Sequence, residues 1–289
     1  MAVTKRVSKR VKSEETYEKM TKNNEWDTSV ENKAKPLLDN IRLDLKAKNE
    51  NQKKLLKSIR DNDVTVCVGP AGTGKTILSI YEAVSLLKTH PDIYKKIILL
   101  KSISQLKDET LPALPGDAMD KMYFQNMSFF DSLIKLIGEK HTGELITLNK
   151  IKFDVVGSFR GRNLSNSIII LDETQNISHD NLKTILTRIS DNTKIILLGD
   201  PDQIDIKIKS DSSLKRFLDK IKSNQVVGVG VVEFDETDIV RHRLTSYFIN
   251  LFKEEPIEHK TKQEKIVSVG GDAVVNKKSK FRKLIEKFI

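Results

Sequence analysis

The chain has 289 residues, enough for one or two domains, with 38% apolar and 31% charged side chains. One cysteine excludes a disulfide framework and fits a reducing compartment, and no apolar run reaches the length of a membrane span. With no hydrophobic signal core at the N-terminus either, the expectation is a cytoplasmic protein without membrane contact.

The net charge of +10 lies at the two ends. Residues 1–13 carry five basic and no acidic side chains, and residues 257–289 carry nine basic and four acidic ones. Such tails either keep a protein dispersed or capture nucleic-acid phosphates. Residues 1–35 read as a flexible basic arm with room for one helix, and Pro36 to about Asp61 shows an apolar pattern of helical period. Short apolar runs at 64–68, 96–100, 168–172, 194–198 and 226–234 read as strands separated by helical or loop segments. Strands alternating with helices predict an α/β domain over 36–255, a mostly parallel sheet with helices on both faces. From 256 to 289 the pattern fades into a basic tail, closed by a short amphipathic segment (Phe281, Leu284, Ile285, Phe288).

The first strand runs into Gly69, Pro70, Ala71, Gly72, Thr73, Gly74, Lys75 and Thr76, the spacing G-x-x-x-x-G-K-[ST]. Small residues let successive backbone N–H groups converge on phosphate oxygens, and the helix that follows adds the positive end of its dipole. Lys75 can reach the outer phosphates, and the Thr76 hydroxyl can ligate Mg²⁺. The strand Ile168–Leu171 feeds Asp172 and Glu173, an arrangement suited to holding Mg²⁺ and to activating a water. The strand Lys194–Leu198 ends in Gly199-Asp200-Pro201-Asp202-Gln203, where a turn alone does not require an amide. Gln203 can both donate to and accept from a γ-phosphate and its attacking water.

GPAGTGKT, IIILDETQN, LTRISDNTKIILLGDPDQID and FDETDIVRHRL, in this order, resemble the PhoH-like proteins over about residues 48–252. LPALPGDAMDKM at 111–122 and FRGRNL at 159–164 are similar to further segments of that family. The resemblance implies a P-loop NTPase with a RecA-like core akin to the first motor domain of superfamily 1 helicases; the short form resembles viral members. It implies ATP and Mg²⁺ as cofactors, with Asp172 and Thr76 at the metal and Glu173 as the base. It matches Gln203 to the helicase GDxxQ glutamine, Gln52 to an adenine-reading glutamine and Arg241 to an arginine finger. A solvated helix position for Gln52 and a surface ion pair for Arg241 remain open alternatives. Arg160, Arg162 and Lys107 are candidates for contacting RNA or single-stranded DNA, and ATP is expected over GTP because no Asn-Lys-x-Asp motif is present. Room for one motor core leads to the expectation of a homo-oligomeric ring, a hexamer, acting on nucleic acid. A nucleotide-dependent switch that binds a protein partner is the alternative.

Overall fold

The structure, a computed structural model, describes residues 28–102, 126–155, 159, 164–201, 203, 213–224 and 226–240. All of them fall in the first of the two units into which the chain divides, Met1–Tyr247. Six strands form one sheet: β1 (Val64–Val68), β2 (Lys96–Lys101), β3 (Ile151–Asp154), β4 (Ser167–Asp172), β5 (Thr193–Gly199) and β6 (Val229–Glu233). Their order is β3-β2-β4-β5-β1-β6, and every pairing is parallel. β1, β4 and β5 are buried at every position, as expected of parallel strands covered on both faces.

Among the described residues six α-helices flank the sheet: α1 (Thr28–Asn40), α2 (Glu50–Asp61), α3 (Lys75–Thr89), α4 (Met127–Thr147), α5 (His179–Leu186) and α6 (Ser213–Asn224). The period-two alternation of the strands divides their side chains between two cores. Cys67, Ile168, Ile170, Ile196 and Leu198 face α1 to α4, where Leu55, Ile80, Val84 and Phe129 meet them. Val64, Val66, Ile169, Ile195 and Leu197 face α5 and α6 through Leu182, Ile185, Leu214 and Leu218. Each such burial contributes about 1.5–3 kcal/mol relative to exposure, and Ile80→Ala in the centre of α3 would cost about 2–5 kcal/mol.

Three expectations are corrected. The helix expected to begin at Pro36 begins at Thr28 and runs through that proline, so the boundary at 35/36 cuts α1. The apolar pattern of 36–61 is two helices, because Asn49 caps a new one by accepting from the Gln52 N–H at 2.8 Å. The sixth strand, β3, is a four-residue edge strand whose only fully buried member is Ile151. Phe130 of α4 stacks on its Phe153 with ring centroids 4.4 Å apart. Gly138, at φ 80°, breaks the helical geometry inside α4. Among the described residues no helix is long and apolar enough to cross a membrane. The amphipathic segment at 281–288 lies outside the described residues.

Candidate active site

Parallel pairing brings the C-terminal ends of four adjacent strands to one edge. Val68 pairs with Gly199, and Lys101 pairs with Asp172, so the phosphate-loop motif and the acidic motif meet there. Ligands of open parallel sheets bind beyond this edge. The loop after β1 is pinned on three sides. Gly69 N–H donates to Gly199 O at 3.1 Å, Phe234 N–H donates to Val68 O at 2.8 Å, and Val240 N–H donates to Gly72 O at 3.1 Å. Gly69, at φ 142°, has no room for a side chain, since a Cβ would overlap the Phe234 carbonyl oxygen and lie 2.6 Å from Phe234 Cβ.

Lys75, at the start of α3, folds back so that Nζ donates to Gly69 O at 2.6 Å and Pro70 O at 2.8 Å. Burial pulls its pKa below the ordinary lysine value, against the opposing pull of Asp200, Asp172 and Glu173. Thr76 Oγ1 donates to Asp172 Oδ2 at 3.0 Å, and Glu173 N–H donates to Asp172 Oδ1 at 3.0 Å. Burial raises the Asp172 pKa, and Glu173 beside it adds to the rise. A hydroxyl and a buried carboxylate side by side are the hard oxygen donors that Mg²⁺ shares with phosphates and water, so these residues fit that ion. Among the described residues no group of three or more His, Cys, Asp or Glu side chains forms a metal cage.

A cavity of about 460 Å³ is lined by Gly72, Lys75, Thr76, Asp172, Glu173 and Gln203. The structure thus gathers residues separated by more than a hundred positions in the chain. Gln203 Nε2 donates to Asp200 Oδ2 at 2.9 Å, which ties the amide to the turn after β5. Gln52 is not a solvated helix residue but is 3% exposed. Its Nε2 donates to Thr73 O at 2.9 Å, and its Oε1 accepts from Lys48 N–H at 2.6 Å. Ser102 donates to Asn176 O at 3.0 Å, bracing the turn after β4. Lys107, Arg160, Arg162 and Arg241 lie outside the described residues.

The sequence reading missed one wall of this cavity. Ser128, Asp131, Ser132 and Lys135 of α4 line it together with Lys101 of β2, whose Nζ donates to Ser128 Oγ at 3.2 Å. No motif flags these side chains, because only the packing of α4 brings them to the strand ends. Gln175 was also passed over, although it stands two residues after Glu173 in a stretch already singled out.

A family model described as PhoH-like protein matches residues 44–253. The chain belongs to the PhoH-like protein family. It is 33% identical over 211 residues to a PhoH-like protein of Bacillus subtilis, covering 73% of this chain and 65% of that protein. It is 33% identical over 202 residues to Protein PhoH of Escherichia coli, covering 68% of this chain and 55% of that protein. The chain thus spans less than two thirds of the length of either relative. Among solved structures, a large terminase from a thermophilic bacteriophage overlaps 73% of this chain and 52% of its own. That overlap has a TM-score of 0.45 and 12% identity. The family match encloses Gln52, the phosphate loop, Asp172, Glu173, Gln203 and Arg241, and leaves both basic ends outside.

Proposed function

We propose that the chain is a Mg²⁺-dependent ATPase. The observation that carries this reading is the meeting of Thr76, Asp172 and Glu173 beside Lys75 in one cavity. Lys75 and the loop N–H groups would hold the phosphates. Thr76 and Asp172 would hold Mg²⁺, which neutralises charge on the phosphoryl oxygens when bound. Glu173 would take the proton of the attacking water, and Gln203 would meet the γ-phosphate. Gln52 supports adenine as the base. With one N–H and one lone pair of its amide engaged on the backbone, it keeps one of each, the complement of adenine N7 and N6.

The proposal extends to a motor on RNA or single-stranded DNA, working as a homo-oligomeric ring, most simply a hexamer. The basic ends support nucleic-acid capture. The place of Arg241 inside the family match, where the resemblance puts a finger, supports its supply from a neighbouring subunit. Because Val240 is bonded to Gly72 of its own loop, the opposite outcome, in which Arg241 serves its own site, is built into the test. Subunits carrying Arg241→Ala are mixed with subunits carrying Lys75→Ala. Activity regained in mixed assemblies supports sharing, and none regained assigns Arg241 to its own subunit.

ATP turnover measured with and without RNA at several salt concentrations tests the motor reading. Stimulation by RNA, with binding that weakens as salt rises, is the expected result. ATP turnover that ignores both RNA and single-stranded DNA contradicts the motor and leaves a nucleotide-driven switch for a protein partner.

A further inference from the structure

Gln175 is fully buried, yet it carries an amide into a site crowded with carboxylates. Its Nε2 donates to Glu173 Oε2 at 2.7 Å, and its Oε1 accepts from Asp200 N–H at 3.0 Å. Asp200 in turn accepts from Gln203 Nε2 at 2.9 Å. A continuous hydrogen-bonded chain therefore runs from Gln203 through Asp200 and Gln175 to the carboxylate of Glu173. The next strand is shaped around it: a Cβ on Gly199 would meet Gln175 Oε1 at 2.9 Å and Leu214 Cδ2 at 2.6 Å.

We infer that Gln175 is a positioning residue that aims the Glu173 carboxylate and couples it to the Gln203 turn. Glu173 has φ 56° and ψ 40°, a left-handed conformation that side-chain residues adopt only when their surroundings hold it. The carboxylate therefore leaves the strand end in a direction that β4 does not dictate, and the Gln175 amide supplies that direction. The turn is also held without Gln175, to β4, to the residue after β2 and to α6. Thr174 Oγ1 donates to Leu171 O at 3.1 Å, Ser102 Oγ to Asn176 O at 3.0 Å, and Ser213 Oγ to Ile177 O at 3.2 Å. A buried amide costs stability unless both its ends are bonded, so an apolar residue would have sufficed had packing been the only demand. Through this chain, a γ-phosphate engaging Gln203 would shift the base, and loss of the phosphate would release it.

This inference rests on the hydrolysis reading, and its test separates the two. Full-length wild type, Glu173→Gln, Gln175→Leu, Gln175→Glu and the double variant Glu173→Gln/Gln175→Leu are compared with Mg²⁺-ATP for nucleotide affinity, KM and kcat. Gln175→Glu keeps an acceptor for Asp200 N–H and sets a carboxylate against Glu173 in place of the amide donor, so it disrupts that arm by like-charge repulsion even if Gln175→Leu folds poorly. Both single Gln175 variants should hold nucleotide within about two-fold of wild type, while kcat falls on the order of 10²-fold, the scale of a misplaced catalytic group. In the Glu173→Gln background Gln175→Leu should cost nothing further, because residues that act as one unit are not additive. Wild-type kcat in Gln175→Glu, a raised kcat in either variant, or an equal additional loss in the double variant overturns the inference and leaves hydrolysis standing. A wild-type chain that binds ATP without splitting it overturns the hydrolysis reading and this inference with it.

Discussion

Lysines stand at both edges of the sheet, buried at one and half-buried at the other, and the two edges use them differently. At the N-terminal edge Lys194 is 6% exposed, and its Nζ donates to Arg60 O at 2.9 Å and Asn62 O at 2.7 Å. Those carbonyls lie at the C-terminal end of α2, where a cation satisfies orphan acceptors and opposes the dipole. Lys150, before β3, pairs with Glu31 of α1 at 2.6 Å, and Arg60 grips Glu82 with two bonds of 2.7 and 2.8 Å. Each of these charges meets a fixed partner from another element. At the C-terminal edge Lys75 donates to two carbonyls of its own loop, and Asp172 sits beside a second carboxylate. Cations at the first edge join separate elements of the fold, and Lys75 at the second stays within its own loop beside two neighbouring carboxylates.

The largest expected effect breaks the C-terminal edge. Glu173→Gln should lower kcat by roughly 10²- to 10⁴-fold, the usual contribution of a positioned base, while ATP binding persists. Turnover and equilibrium nucleotide binding measured on the same preparation check it, and unchanged turnover removes Glu173 from the base role.

A stability effect of the opposite kind belongs to the N-terminal edge. Glu31→Gln leaves Lys150 buried without its carboxylate and should cost about 3 kcal/mol, read by urea unfolding, with nucleotide affinity unchanged. A cost below about 0.5 kcal/mol would place the pair among surface bridges that contribute little.

The smallest effect sharpens the contrast through pH. Burial raises the Asp172 pKa above its ordinary 3.8, so the folded state holds that proton more tightly than the unfolded chain. The contribution is fully present below the ordinary value and is lost as pH rises through the raised one. Thermal unfolding of wild type and Asp172→Asn should therefore converge at low pH, with the variant gaining relative stability as pH rises. A variant that loses relative stability over that rise contradicts the direction of the shift.

How much of this was legible in the chain follows from where the signal lies. β1, β4 and β5 are mostly apolar runs that each end in a chemically marked turn, so both the strands and Lys75, Asp172, Glu173 and Gln203 could be read together. β3 escaped because Ile-Lys-Phe-Asp is a short edge strand with polar alternate positions, and edge strands lack the doubly buried pattern. The break between α1 and α2 escaped because apolar spacing continued across it, while the decisive feature was one Asn49 cap. Asp131 and Lys135 join the cavity through the packing of α4, a long-range event that no local spacing encodes. Gln175 was visible as a residue but not as a link, since its partner Asp200 is 25 positions away.

The most direct test makes one chemical change at both edges. Lys75→Met and Lys194→Met are compared for ATP affinity and for unfolding free energy without nucleotide. Lys75→Met should lose about 10²-fold in affinity, the worth of a charge-assisted contact, and little stability. Lys194→Met should keep its affinity and lose about 2 kcal/mol of stability, since two part-buried carbonyls lose their donor. Equal losses in both quantities at both positions would contradict the division of charge between the two edges.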